Sequence, residues 1–281
     1  MSDHTATPRT GLRRGFPQDR AALVVYLMAG YPNVEGSLAA LRAVAEAGAD
    51  VIELGVPYGD PLADGPTIRE AADAARAASP SGFGLKHTIA LTSEFLGGRG
   101  VDEAPPIALM TYLNPMLTYG LDALARDAAA AGVSGFIVPD LPPDSAMARM
   151  WLQAATGAGL DTVFLVAPTS EPARIDTVTA ASTGFVYVVS SVGVTGERAE
   201  LPAELADLVG RVKQSREGNA DPTIPVAVGF GVSTPDQAAA VADLADGVVV
   251  GSAVVRRQRD PAEVGVFVAE LAAAVRGRPA R

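Results

Sequence analysis

The sequence has 281 residues, of which 48% are hydrophobic, and a formal net charge of −10 at pH 7. The negative charge argues against a partner made of nucleic acid, which requires basic surfaces, and against an anionic membrane surface. The chain contains no cysteine, which excludes disulfides and cysteine nucleophiles and fits a cytoplasmic location. No apolar run is long enough to span a bilayer.

Residues 1–19 are the first segment in chain order. Pro8, Gly11, Gly15 and Pro17 interrupt this stretch, and no apolar periodicity runs through it. Proline and glycine in such density are typical of loops. The sequence therefore predicts a flexible N-terminal lead-in over residues 1–19 and one folded domain over residues 20–281.

Short apolar runs alternate with longer alanine-rich segments along the rest of the chain. The runs lack polar alternation, so they predict strands buried on both faces, as in a parallel sheet. The predicted strands are Ala22–Leu27, Val51–Leu54, Ile107–Met110, Phe136–Val138, Thr162–Val166, Phe185–Val189, Val226–Val228 and Gly247–Val250. The predicted helices between and after them are Glu35–Ala47, Thr67–Ala78, Leu121–Ala131, Asp144–Thr156, Glu171–Ala181, Pro202–Gln214, Pro235–Ala242 and Pro261–Val275.

Eight strand–helix units in one chain favour a single (β/α)8 TIM barrel, for which a length of about 250 residues is typical. The segment Leu85–Leu96 adds an extra helix before the third strand. An open, doubly wound sheet is the alternative arrangement of the same elements.

Two acidic residues stand where the barrel prediction places chemistry. Glu53 lies inside the second predicted strand, among Val51, Ile52 and Leu54, and Asp64 lies in the following loop. A carboxylate in an apolar strand is costly unless it is paired or used. Active sites of this fold lie at the carboxyl ends of the strands, so the pair suits general acid/base catalysis. A structural acid held by arginine or backbone donors is the alternative interpretation of Glu53.

Glycine-bearing turns follow the last three predicted strands. They are Gly193–Gly196, Gly229–Ser233 and Gly251–Ser252. Loops after the seventh and eighth strands of such barrels often bind phosphate through backbone N–H groups, helped by the dipole of a short helix. The turns predict a phosphate site, although each glycine could also serve only a tight turn.

Residues that a Schiff-base or a zinc-dependent aldolase needs are missing from the predicted strand ends. Lys86 and Lys213 lie in or beside predicted helices, which leaves a Schiff-base mechanism without its nucleophile. The two histidines, His4 and His87, do not make a zinc cluster. These absences favour cofactor-free proton transfer on a phosphorylated substrate, run by carboxylates and Tyr187.

These motifs together resemble the tryptophan synthase α subunit family. The matching segments are Gly30–Pro32, Ile52–Pro57, Asp60–Ile68, Met110–Pro115, Val138–Pro142, Gly193–Gly196, Gly229–Gly231 and Val250–Ser252. The resemblance implies a TIM barrel lyase that cleaves indole-3-glycerol phosphate to indole and glyceraldehyde 3-phosphate, a retro-aldol reaction in tryptophan biosynthesis. It covers the chain from about residue 20 to the end.

The resemblance also implies roles for individual residues. Glu53 is expected to protonate C3 of the indole ring and help to deprotonate the glycerol hydroxyl, while Asp64 hydrogen-bonds the indole N–H. Tyr187 lies beside Glu53 as the third catalytic residue, and Ser190–Leu201 is expected to be a mobile lid. The substrate-binding residues implied are Tyr112, Thr195, Gly196, Phe230, Gly231, Gly251 and Ser252.

Family members pair with a β subunit that carries pyridoxal phosphate. The resemblance therefore implies an α2β2 assembly, with no cofactor or metal in this chain. Asp60, Pro61 and Asp140 match the partner-facing side. Two departures from the family pattern are Gly59, where serine is frequent, and Met28, where a small polar residue is frequent.

Three other functions are the alternatives to this interpretation. A stand-alone lyase that releases free indole differs from the α subunit only in its independence of a partner. A sugar phosphate isomerase or epimerase usually needs histidine or metal, which the strand ends lack. A non-catalytic barrel that regulates a partner would have no use for Glu53 and Asp64.

Overall fold

The computed structural model describes residues 11–61, 64–79, 82–97, 103–189, 203–219, 221–229 and 231–277. Its strands are β1 (Ala22–Met28), β2 (Val51–Gly55), β3 (Ile107–Met110), β4 (Gly135–Ile137), β5 (Asp161–Val163), β6 (Leu165–Val166), β7 (Val186–Val189), β8 (Val226–Gly229) and β9 (Gly247–Val250). All paired strands are parallel, in the order β5-β4-β3-β2-β1-β9-β8-β7-β6.

The nine described strands occupy eight positions around the barrel, because β5 and β6 are two segments of one barrel strand that is interrupted at Phe164. The N–H of Phe164 donates to Ser182 Oγ (3.2 Å) rather than to a strand. β5 pairs with β4, and β6 pairs with β7, so this interrupted strand joins the two edges of the sheet. The predicted (β/α)8 barrel is confirmed, whereas the prediction of one unbroken strand over Thr162–Val166 is wrong at this residue.

Helices surround the sheet. They are α1 (Val34–Glu46), α2 (Pro66–Ala77), α3 (Leu85–Leu96), α4 (Leu113–Tyr119), α5 (Leu121–Ala130), α6 (Ala146–Gly157), α7 (Pro172–Ala181), α8 (Ala203–Glu217), α9 (Pro235–Ala242), α10 (Ser252–Val255) and α11 (Pro261–Arg276). The predicted extra helix is confirmed as α3. Side-chain oxygens of Asn33, Ser145 and Asp260 cap three helices by accepting first-turn N–H bonds. None of the described helices is long and apolar enough to cross a membrane.

Two described helices, α4 and α10, were not predicted. α4 begins directly after β3, with Pro115 in its first turn, where the missing N–H costs no intrahelical bond. Its seven residues are too few for an apolar period to emerge from the sequence. α10 has only four residues and begins at the glycine turn after β9.

The amino-terminal end of the barrel is closed by residues that the sequence assigned to a flexible lead-in. Gly11–Gly15 forms a 3₁₀ turn, and Leu12 and Phe16 are buried inside the barrel. The Phe16 ring lies 5.3 Å from the ring of Phe185, centroid to centroid. Residues 1–10 lie outside the described residues. The turn Gly11–Gly15 belongs to the folded unit, because burial of Leu12 and Phe16 fixes it. The filled floor leaves the opposite, carboxyl end of the strands for a ligand.

Candidate active site

Glu53 is buried at the centre of β2 and faces the barrel interior. It alternates with Val51, which belongs to the interior cluster, and its register partners are Tyr26 on β1 and Ala108 on β3. Only 1% of Glu53 is exposed, and its Oε2 atom has no hydrogen-bond partner among the described residues. Burial, followed by the negative charge of Asp64, raises the pKa of Glu53 to about 8. The carboxyl group therefore carries a proton at neutral pH.

Asp64 precedes α2 and is half-buried near the same end of the barrel. Burial raises the pKa of its carboxyl above the ordinary value. A hydrogen bond from the Tyr112 hydroxyl and the positive charge of Arg69 act in the opposite direction, because both favour the ionised form. The two acids thus differ in their surroundings: Asp64 has a donor and a cation, whereas Glu53 Oε2 has neither.

Tyr187 projects from β7, on the wall of the barrel opposite β2, and fits against a glycine. A Cβ atom added to Gly229 on β8 would lie 2.6 Å from Tyr187 Oη, so no larger residue fits there without moving the tyrosine. Burial raises the pKa of Tyr187 well above its ordinary value, and the charges of Glu53 and Asp64 add to this effect. The hydroxyl therefore stays protonated at neutral pH and is available as a hydrogen-bond donor.

Tyr112 is buried at the N-terminus of α4, with its ring 5.3 Å from that of Tyr58. The Tyr58 hydroxyl accepts a bond from Asn114 Nδ2 (3.2 Å), and Asp140 Oδ1 accepts one from Leu113 N (2.8 Å). The loops after β2, β3 and β4 are therefore linked by these bonds. The sequence predicted a substrate contact for Tyr112, and the hydrogen bond to Asp64 is an additional role that it did not predict.

The predicted phosphate residues lie where β8 and β9 end. Gly251 is the N-cap of α10 and Ser252 is its first residue, and both are half-buried. The first N–H groups of a helix have no intrahelical partner and can bind an anion. Gly231 follows β8 with φ +43°, a left-handed conformation that glycine adopts without strain. The predicted residues Thr195, Gly196 and Phe230 and the predicted lid lie outside the described residues.

The described part of the chain does not offer a group of metal ligands, and its two lysines lie away from the site. No group of three or more histidine and acidic residues there could hold a metal ion. Lys213 pairs with Asp246 (3.5 Å) on the outer side of the barrel, and Lys86 is exposed on α3. Among the described residues at the carboxyl end of the barrel strands, the candidate groups for proton transfer are the carboxyls of Glu53 and Asp64 and the tyrosine hydroxyls.

Comparison with known proteins gives the family. The model of the tryptophan synthase alpha chain family matches residues 14–276. The tryptophan synthase alpha chain of Mycobacterium tuberculosis strain H37Rv is 47% identical over 261 residues, which cover 92% of this chain and 90% of that protein. The chain belongs to the tryptophan synthase alpha chain family. Members of this family are lyases that cleave indole-3-glycerol phosphate, so the family and reaction expected from the sequence are confirmed.

Solved structures agree with this assignment. Mycobacterium tuberculosis tryptophan synthase in space group F222 contains a chain with a TM-score of 0.81 and 46% identity, covering 92% of this chain and 93% of that one. The tryptophan synthase subunit alpha of Legionella pneumophila strain Paris has a TM-score of 0.79 at 30% identity, covering 92% and 94% of the two chains.

The two departures from the family pattern have local explanations. A Cβ atom on Gly59 would lie 2.9 Å from Arg76 Nη1, so the arginine of α2 covers this glycine. Met28 is buried beside Tyr26 and Tyr31, and Gln258 bonds both its N–H and its carbonyl (2.9 and 2.7 Å). Met28 thus packs in the same buried cluster as Tyr26.

Tyr26 is the main site residue that the sequence analysis missed. It is 3% exposed, pairs in register with Glu53, and its pKa is raised well above the ordinary value by burial and by the charges of Asp64 and Glu53. In the sequence it is one aromatic residue in an apolar strand, which is typical of core. The available signal was spacing, because Tyr26 continues the alternation of Ala22 and Val24, which line the barrel interior.

Proposed function

We propose that Glu53 is the acid/base of the retro-aldol cleavage of indole-3-glycerol phosphate. The observation that carries this proposal is a carboxyl group with a pKa of about 8, buried and with Oε2 unpartnered among the described residues. Such a group holds a transferable proton at neutral pH, as a general acid requires.

The reaction balances with one carboxyl group acting twice. Glu53 gives its proton to C3 of the indole ring, which leaves a positive charge at the ring nitrogen. The resulting carboxylate takes the proton of the glycerol hydroxyl next to C3. The bond between C3 and the hydroxyl-bearing carbon then breaks, its electron pair returns to the ring, and indole and the aldehyde are released. Glu53 ends protonated.

Asp64 is the group that stabilises the charged ring. Its carboxylate accepts a hydrogen bond from the indole N–H, which strengthens as the nitrogen becomes positive. The Tyr112 hydroxyl and Arg69 support this role because they favour the ionised form of Asp64. Tyr187 completes the catalytic group from the opposite wall as a hydrogen-bond donor.

The phosphate end of the substrate binds at the glycine turns. Gly251, Ser252 and Gly231 supply backbone N–H groups and one hydroxyl at the ends of β8 and β9. The family resemblance also assigns Gly196, Thr195 and Phe230 to substrate binding, and these three residues lie outside the described residues. The indole end then lies toward β2, where Asp64 and Tyr112 are found.

The partner is a tryptophan synthase β subunit carrying pyridoxal phosphate, in an α2β2 assembly in the cytoplasm, and this chain binds no cofactor. Asp60 is exposed and Pro61 half-buried, as a partner-facing loop requires. Asp140 acts less directly, because its carboxylate accepts the Leu113 N–H and so fixes the start of α4.

Indole release by the purified chain, measured with and without a β subunit, tests this function. Slow release that rises sharply with the partner supports the coupled α subunit, and fast release alone supports the stand-alone lyase. Glu53→Gln keeps the shape of the side chain and removes the titrating group, so turnover should fall about 100-fold or more while glycerol phosphate still binds. Substantial residual turnover would remove Glu53 from the acid/base role.

A further inference from the structure

The barrel mouth contains two tyrosines packed in the same way. Each leans over the next strand, onto a glycine two residues beyond its register partner. Tyr26 pairs with Glu53, and a Cβ atom on Gly55 would lie 2.0 Å from Tyr26 Oη. Tyr187 pairs with Ala227, and a Cβ atom on Gly229 would lie 2.6 Å from Tyr187 Oη. Both hydroxyls are therefore brought to the same layer of the barrel mouth.

Tyr26 lies on β1, next to the strand of Glu53, whereas Tyr187 lies on β7, which is four barrel strands away from β2 in either direction. Neighbouring strands lie about 4.8 Å apart, so β1 holds Tyr26 next to the strand of Glu53, and its side chain does not have to cross the barrel to approach Glu53. Tyr187 approaches from across the space that the substrate would occupy. Tyr26 is thus the tyrosine placed to serve Glu53 while the substrate is bound.

The hydrogen-bonding capacities of the two residues are complementary. Glu53 Oε2 has no hydrogen-bond partner among the residues that the structure describes, so it is not bonded to the Tyr26 hydroxyl in this structure. Tyr26 keeps its proton, because burial and the charges of Asp64 and Glu53 raise its pKa well above the ordinary value. It is a permanent donor beside an acceptor that becomes charged only when Glu53 loses its proton.

We infer that Tyr26 is a positioning residue for proton transfer, whose hydroxyl donates a hydrogen bond to the Glu53 carboxylate when Glu53 has released its proton. This inference rests on the proposed role of Glu53. A carboxylate that forms in a buried place without a donor carries the full cost of its desolvation. The bond from Tyr26 lowers this cost at the step where the ring is protonated, and it holds the carboxylate ready for the glycerol hydroxyl.

Tyr26→Phe removes the hydroxyl and keeps the ring. The other groups around Glu53 stay in place: Asp64 and Tyr187 interact with Glu53, and Tyr112 and Arg69 act on Asp64. Loss of a donor to the ionised form should move the titration of Glu53 to higher pH by about half a unit or more. The kcat should fall about tenfold, with KM changed less than about threefold, because the lost bond forms during the reaction.

Two measurements test the inference. The first is the 13C carboxyl titration of Glu53 in labelled full-length chain without substrate, and the second is the pH profile of kcat with the β subunit present. Tyr119→Phe is the matched control, because it removes a hydroxyl that donates to Asp127 (2.8 Å) outside the site. Gly55→Ala is a second variant, because its methyl group would displace the Tyr26 hydroxyl while leaving the tyrosine in the chain.

An upward shift in Tyr26→Phe and Gly55→Ala, absent from Tyr119→Phe, supports the inference. An unchanged titration and an unchanged kcat in folded Tyr26→Phe would overturn it and leave Tyr26 as a packing residue. The two proposals fail separately. If Glu53→Gln stays active while the titration still shifts in Tyr26→Phe, the hydrogen bond is supported and the acid/base role of Glu53 is overturned.

Discussion

Glu53→Gln should make the folded chain less sensitive to alkaline pH. The folded-state pKa of Glu53, about 8, is above its ordinary value of 4.5. A group with a raised folded pKa contributes stability that is fully present below the unfolded pKa and is lost as pH rises through the folded pKa. The loss for Glu53 therefore occurs between pH 4.5 and pH 8 and is complete above that window.

The size of the effect follows from that shift. Each pKa unit corresponds to about 1.4 kcal/mol, so a shift of roughly 3.5 units is about 5 kcal/mol at full extent. Between pH 5 and pH 9 the wild-type chain should lose about 4 kcal/mol that the Glu53→Gln variant retains. Any pH-independent cost of placing an amide in the barrel cancels, because only the change with pH is compared.

Urea unfolding at several pH values between 5 and 9 measures this difference. Glu94→Gln is the matched control, because Glu94 is exposed on α3 and its replacement should leave the pH dependence as in the wild type. The midpoint and the slope are both recorded, so that a change in the denatured state is not mistaken for a change in stability. Parallel curves for wild type and Glu53→Gln would refute the burial of an unpaired, protonated Glu53.

The remaining predictions concern the floor, the phosphate end and the second acid. Phe16→Ala should destabilise the fold by about 3–5 kcal/mol, measured by urea unfolding, with the titration of Glu53 unmoved, because the cavity forms at the far end of the barrel. Gly251→Ala should weaken binding of glycerol phosphate with little loss of stability, since the added Cβ atom meets its nearest neighbours only at 3.8 and 3.9 Å; unchanged affinity in calorimetry would contradict the phosphate pocket. Tyr112→Phe should raise the pKa of Asp64 further, which a carboxyl titration by NMR would detect, because the donor to the ionised form is lost.

Much of the fold could be predicted because its signals are local. Each buried parallel strand is an apolar run, and each helix has an apolar period, so the eight-unit alternation appears in the sequence itself. The interruption at Phe164 has no such signal. It depends on a hydroxyl from Ser182, which is 18 residues away at the C-terminal end of α7 and meets Phe164 only when that helix packs against the strand. The burial of Phe16 likewise depends on a cavity that eight strands create together.

The site divides in the same way. Glu53 could be identified because an acid in an apolar strand conflicts with its surroundings, and such a conflict is visible in one line of sequence. Tyr26 creates no conflict, because tyrosine is a common residue of buried strands. Its importance comes from the register between β1 and β2 and from the room left by Gly55, and neither is encoded within β1 alone.

The cost in stability and the catalytic capacity of Glu53 have one origin. At pH 7 an acid with a folded pKa of about 8 is protonated in the folded chain and ionised in the unfolded chain. The difference favours unfolding by about 3 kcal/mol, which is a substantial part of the stability of an ordinary domain. A donor placed permanently on Oε2 would remove that cost and also remove the proton that the reaction needs. A tyrosine that meets the carboxylate only after ionisation resolves the conflict, because it stabilises the reacting state while leaving the resting acid protonated.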